Sequence, residues 1–183
     1  MRKKGWVIFC FIFLVALRAQ AFGDPADKTA QEKPVLVTDD NVAFYVCQEK
    51  KIGVQFYCSR DWKVQEKENQ LFITISSKPA FTLTISVAEA PVSSPQQLTD
   101  ADLIKMGHYA DGFDTGPVLI NGEQAFEADG FSKEHPETML SGYYFIHKAK
   151  LYTVLFSFAP KKQWPAYRAS VDRIIKSFKF SEE

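Results

Sequence analysis

Between Phe81 and Val87 apolar and hydroxyl residues alternate without a break. A strand points successive side chains to opposite faces, so Phe81, Leu83, Ile85 and Val87 share one face, with Thr82, Thr84 and Ser86 on the other. The same period recurs along most of the chain. Ala43 to Cys47 and Val54 to Cys58 read as a hairpin turning at Gly53, and Trp62 to Gln65 and Leu71 to Ser76 as two further strands joined around Lys67 to Asn69. Pro117 to Ile120 and Glu123 to Ala128 flank Asn121-Gly122, two residues that tolerate the positive φ of a tight hairpin turn. Tyr143 to His147 and Leu151 to Phe158 form another pair across Lys148-Ala149-Lys150. In that last strand Tyr152, Val154, Phe156 and Phe158 line one face while Leu151 and Leu155 make the other apolar, which places it mid-sheet with cover on both sides.

Two segments switch to helical spacing. Thr99 is a good N-cap, Asp100 and Asp102 suit the positive end of the helix dipole, and Leu98 can staple against Leu103. Leu103, Met106 and Ala110 supply a narrow inward stripe, and Gly112 is the expected terminator. Near the end, Pro165 opens a helix whose Tyr167, Val171, Ile174, Ile175 and Phe178 recur at three and four. Arg168, Arg173, Lys176 and Lys179 project elsewhere and read as its solvated side, with a partner-binding stripe as the alternative.

The N-terminus has a different character. A basic stretch at Arg2, Lys3 and Lys4 precedes an apolar run from Trp6 to Leu17 and then Ala19-Gln20-Ala21, the order of a cleavable export signal ending at Ala21. The run is shorter than the ~20 residues a membrane-spanning helix needs, so no stable membrane span is expected after cleavage. Cys10 follows Phe9 inside that run, which disfavours a lipid-modified cysteine. Residues 22–40 are polar and lack periodicity, which predicts a disordered lead; Val35 to Val37 as an edge strand is the alternative. One domain is expected over 41–183.

Losing residues 1–21 removes four of the 22 basic residues and none of the 22 acidic ones, so the exported chain is mildly acidic, a poor match for nucleic acid. It also leaves Cys47 and Cys58 as an even pair in an oxidising compartment. Opposed on neighbouring strands, the two are placed for a disulfide closing a short loop, worth about 3 kcal/mol in the chain-entropy account. Reduced thiols or a metal pair are the alternatives, the second weakened by the lack of a nearby histidine.

Several of these segments carry a resemblance. Gly53-Val54-Gln55-Phe56 leading to Trp62, the Asn121-Gly122-Glu123-Gln124-Ala125 hairpin, the strand ending Ala159-Pro160, and Ile174-Ile175-Lys176-Ser177-Phe178 together resemble the PsbP-like group, which includes the extrinsic photosystem II protein, its bacterial relatives and the structurally similar Mog1 proteins. The resemblance spans about residues 41 to 180. It implies an α+β fold, a central antiparallel sheet flanked by helices in an α/β/α sandwich, and a role in binding or assembly. One departure stands out: where that group commonly has a proline shortly before the tryptophan, this chain has Cys58, which supports a local staple and argues against a photosynthetic role.

Catalytic signals are sparse. His108, His135 and His147 lie far apart in sequence, and the best metal-like cluster is His135 with Glu134 and Glu137, three residues in one loop. Glu127 and Asp129 share a strand face, the spacing of paired carboxylates for acid–base work, although the water-facing side of an edge strand gives the same pattern. Asp111 and Asp114 bracket a turn without the ligand count of a calcium loop. No nucleophile elbow or phosphate-cradling glycine loop is present. Tyr143, Tyr144 and Trp164 are the aromatic residues to watch as a contact surface; burial beneath the helices is the alternative. The expected function is therefore a non-enzymatic exported binding or assembly factor of the cell envelope, periplasmic or secreted. It would need no cofactor and would take an envelope protein or a small ligand as partner. A metal-dependent envelope hydrolase and a small-ligand carrier with an apolar cavity are the alternatives.

Overall fold

The computed structural model describes residues 44–108 and 110–181, with the backbone alone at 110–113. The expected export signal over 1–21, the lead over 22–40 and the possible strand at Val35 to Val37 lie outside the described residues.

Among the described residues ten strands and two α-helices follow in order: β1 (Tyr45–Glu49), β2 (Val54–Cys58), β3 (Lys63–Lys67), β4 (Gln70–Ser77), β5 (Ala80–Glu89), α1 (Asp100–Lys105), β6 (Ala110–Ile120), β7 (Glu123–Ser132), β8 (Met139–His147), β9 (Lys150–Ala159), α2 (Trp164–Ser177) and β10 (Lys179–Phe180). Seven strands make one antiparallel sheet in the order β3-β4-β5-β9-β8-β7-β6. The strand that is apolar on both faces, β9, sits at its centre, as the pattern predicts. A second sheet, β1-β2-β10, has three strands.

One face of the large sheet carries Leu71 and Ile73 from β4, Phe81, Leu83 and Ile85 from β5, and Val154, Phe156 and Phe158 from β9. These pack against Val171, Ile174 and Ile175 of α2 and against Val54 and Phe56 of the small sheet. Burying such side chains contributes roughly 1.5–3 kcal/mol each before the entropy of ordering them is counted. The Tyr57 amide donates to Ser177 Oγ at 2.7 Å, joining the small sheet to the end of α2. On the opposite face Leu98 and Leu103 form a smaller cluster with Ala128, Tyr144 and Leu151, over β7, β8 and β9, with Phe126 and Ile146 at its margin.

The architecture is therefore dominated by sheet. The expected helix-flanked sandwich is corrected: one layer combines α2 with a small sheet, and the other is a short segment around α1. That second layer is thin because α1 stops early. Gly107 adopts φ +90°, and the His108 amide returns to the Leu103 carbonyl at 3.0 Å, so the helix closes well before Gly112. Ala110, expected on the helical stripe, instead pairs with Ser132 at the start of β6. The Asn121-Gly122 turn has φ of 50° and 85°, as its residue types require, and Lys148 and Ala149 turn the β8–β9 hairpin with φ of 49° and 61° despite offering no glycine. β10 was not legible in the pattern; it is a two-residue strand formed because α2 delivers the chain beside β2.

Candidate functional site

Three carboxylates converge on one guanidinium between α2 and the sheet. Arg168 Nη2 donates to Glu127 Oε1 at 2.7 Å, Nη1 to Asp129 Oδ2 at 3.0 Å and Nε to Asp172 Oδ1 at 3.0 Å. Tyr143 adds its hydroxyl, donating to the same Glu127 oxygen at 2.8 Å. The sequence explains each placement. Glu127 and Asp129 are two apart on β7 and share its face, Tyr143 opposes Glu127 across the β7–β8 ladder, and Asp172 lies one helical turn beyond Arg168. Trp164 lies one turn before Arg168, whose guanidinium sits 5.4 Å from the indole.

Burial sets the electrostatics. It raises the Asp129 carboxyl above its ordinary range, helped by the neighbouring Glu127 charge and opposed by the Ser141 hydroxyl and Arg168. Tyr143 is pushed up by burial and then by Glu127. For Arg168 burial acts against the charge, but Tyr143, Glu127, Asp129 and Asp172 outweigh it and hold the guanidinium more firmly protonated. With every kind of guanidinium nitrogen engaged, the cluster works as a clamp between α2 and β7. The paired carboxylates are thus neither a water-facing edge nor a free acid–base pair: β7 is interior to the sheet, and α2 lies over this face. Arg168 likewise turns inward, away from the solvated stripe expected of it. The missed signal was the i, i+4 spacing of Arg168 and Asp172 beside a strand bearing two acids on one face.

A second polar pair is buried on the opposite face. His108 Nδ1 and Tyr144 Oη are 2.6 Å apart, and both residues are fully enclosed. Burial lowers the His108 pKa to about 4 and raises that of Tyr144, so both groups are neutral near pH 7.

The sequence matches no family profile, and no curated protein resembles it at significant level. Solved structures do resemble it. Cyanobacterial PsbP (CyanoP) from Synechocystis sp. PCC 6803 superposes with a TM-score of 0.58 at 12% identity, covering 82% of this chain and 98% of that one. The Ran-binding protein Mog1p of Saccharomyces cerevisiae gives 0.52 at 5% identity over 77% and 97%. LpqN of Mycobacterium tuberculosis, involved in cell envelope biogenesis, gives 0.52 at 10% identity over 79% and 94%. The fold is of the PsbP/Mog1 type.

On this PsbP/Mog1-type scaffold the other candidate residues take varied places. Cys47 and Cys58 are joined by a disulfide with Cα atoms 5.8 Å apart. They are not directly opposed, as the hairpin reading had them: Cys47 faces Phe56 and Cys58 faces Tyr45, so the bridge runs diagonally across the ribbon. Tyr143 and Tyr144 point to opposite faces of β8 as adjacent strand residues must, but both are buried, at 2% and 0% exposure, and form no contact surface. Trp164 is half-buried with its ring centroid 4.9 Å from that of Phe158. Large apolar side chains reach solvent instead at Leu119, Phe131 and Phe72.

His135, Glu134 and Glu137 occupy the exposed loop between β7 and β8, where Glu137 approaches Lys161 at 3.8 Å. Among the described residues no three His, Cys, Asp or Glu side chains are grouped to hold a metal ion, so this loop does not assemble its three candidates into a site. His147 stacks on Phe180 with centroids 4.2 Å apart and lies 3.6 Å from Glu123. Among the described residues no helix is long and apolar enough to cross a membrane.

Proposed function

We propose that this chain is a non-enzymatic accessory protein that acts in the cell envelope outside the cytoplasm by binding a protein partner. The observation that carries this reading is where the chemically capable groups are committed. Glu127 and Asp129 are engaged by Arg168, and His108 is enclosed with Tyr144. Two concavities, one of about 240 Å³ beside Phe72 and one of about 50 Å³ beside Ile52, are open surface hollows. Enzymes and small-ligand carriers rely on a deeper enclosure with convergent polar groups. Support also comes from the similar structures, one a Ran-binding protein and one involved in cell envelope biogenesis. The disulfide and the export-like N-terminus support a location in an oxidising compartment.

Cell fractionation with intact-mass analysis tests the location: the expected product is extracytoplasmic and starts at Phe22. Chemical cross-linking in the native envelope, read by mass spectrometry, tests the binding role. A cytoplasmic full-length product, or a purified protein that turns over envelope substrates, overturns the proposal.

A further inference from the structure

The half of the large sheet that α1 leaves uncovered ends in an open edge. β3 is the first strand in the order and pairs only with β4, so the outer side of its backbone has no ladder partner among the described residues. Its two faces differ. Val64 packs on the main core and Glu66 is bridged to Lys51 at 3.4 Å, so one face belongs to the protein's own architecture. The other presents Lys63, Gln65 and Lys67, all exposed, and among the described residues neither lysine forms an ion pair. Beside them the 240 Å³ hollow is lined by Gln65, Lys67, Gln70 and Phe72, with the Phe72 ring 39% exposed. Across the sheet the surface continues through Thr74, Thr82 and Thr84, which bring hydroxyls and no acid.

We propose that β3 is a docking edge for an extended acidic segment of a partner protein, which adds as a further strand and sets acidic side chains against Lys63 and Lys67. This rests on the protein-binding reading above and names the chemistry of the partner. Strand addition draws affinity from main-chain hydrogen bonds and specificity from alternate side chains, and the two lysines share one face at that alternation. The hollow over Phe72 lies on the same face as the two lysines and takes the methylene stem of a glutamate side chain from the added strand. A second copy of this chain is the wrong occupant: antiparallel pairing of β3 with itself about Gln65 opposes Lys63 to Lys67, and like charges in register repel.

The test is a titration of the intact protein with an eight-residue blocked peptide alternating Glu and Val, followed by amide NMR and hydrogen exchange. The expected result is saturable binding that slows exchange at residues 63–67, weakens at least about fivefold when salt rises from about 0.05 to 0.5 M, and falls about tenfold in Lys63→Glu/Lys67→Glu. Alternate N-methylation of the peptide, which removes its ladder donors without touching the protein, abolishes binding. Unchanged affinity in the double variant overturns the proposal, and so does binding of an acidic polysaccharide in place of the peptide. If a partner cross-linked in the native envelope is retained equally by the double variant, the edge is wrong while the binding role stands; if no partner is cross-linked at all, the binding role fails with it.

Discussion

Tyr144 Oη lies 2.6 Å from His108 Nδ1, and the pair passes over Gly142 so closely that a Cβ there would meet the two atoms at 2.7 and 2.8 Å. The glycine is therefore required by what crosses it. Tyr144 and His108 are both fully enclosed. Gly142→Ala is expected to cost about 2 kcal/mol by overpacking. Urea denaturation measures it, and in a His108→Ala background the added cost should shrink because the tyrosine can shift. Strict additivity of the two changes would show that the contact does not govern this site.

The same histidine makes stability depend on acid. Its pKa is lowered from 6.5 to about 4 by burial, so the folded protein holds it neutral where the unfolded chain protonates it. Stability from this group is complete above the unfolded value and is lost as pH falls from 6.5 towards 4, levelling off below. The total is on the order of 3 kcal/mol. His108→Gln should flatten the slope of unfolding free energy across that window, and a proton NMR titration of the imidazole should find it neutral at pH 5.5.

Arg168 holds α2 to β7, and removing it leaves Glu127 and Asp129 facing each other without a cation. The expected loss for Arg168→Ala is about 2 kcal/mol, less than the ~3–5 of a fully buried pair because solvent reaches part of the site. Arg168→Lys should recover only a fraction, since an ammonium cannot offer the same planar fork of donors. Asp129→Asn tests the other side. The raised Asp129 pKa means that folding opposes its charge, a cost absent below the unfolded pKa and growing as pH rises through the folded value. Relative to wild type, the Asn variant should therefore improve between pH 3 and pH 7; a relative decline over that range would contradict the assignment.

The Asn121 side chain amide donates to the Lys176 carbonyl at 2.7 Å and to the Phe178 carbonyl at 2.8 Å, closing the end of α2. Asn121→Gly keeps the positive φ of the turn and removes both bonds. Denaturation should report a loss of about 1–2 kcal/mol, with the backbone at 120–123 little altered by NMR. An unchanged midpoint would mean that the turn alone explains the asparagine.

The diagonal Cys47–Cys58 bridge ties β1 to β2. Intact mass of the unreduced protein should be two hydrogens below that of the reduced protein, and replacing both cysteines by serine should cost on the order of 2–3 kcal/mol. Two alkylatable thiols in the native protein would rule the bridge out.

Much of this was written locally. Alternation placed nearly every strand, with β9 central because both of its faces are apolar, and the Thr99 cap and Asn121-Gly122 turn were correct because backbone geometry there depends on one or two residues. The candidate site was less legible. Glu127 and Asp129 could be read as a pair on one face, but no local rule says whether water or an arginine 39 to 41 residues later lies above that face.

Sequence alone thus determined the strand periodicity, the two amphipathic helices and the cysteine pair, since these follow from residue chemistry over a few neighbours. Only the tertiary structure decided that α1 ends at Lys105, that Tyr143 and Tyr144 are enclosed, that Arg168 turns inward and that β10 exists. Each of those depends on which distant segment arrives alongside, and that is set by the packing of the whole sheet.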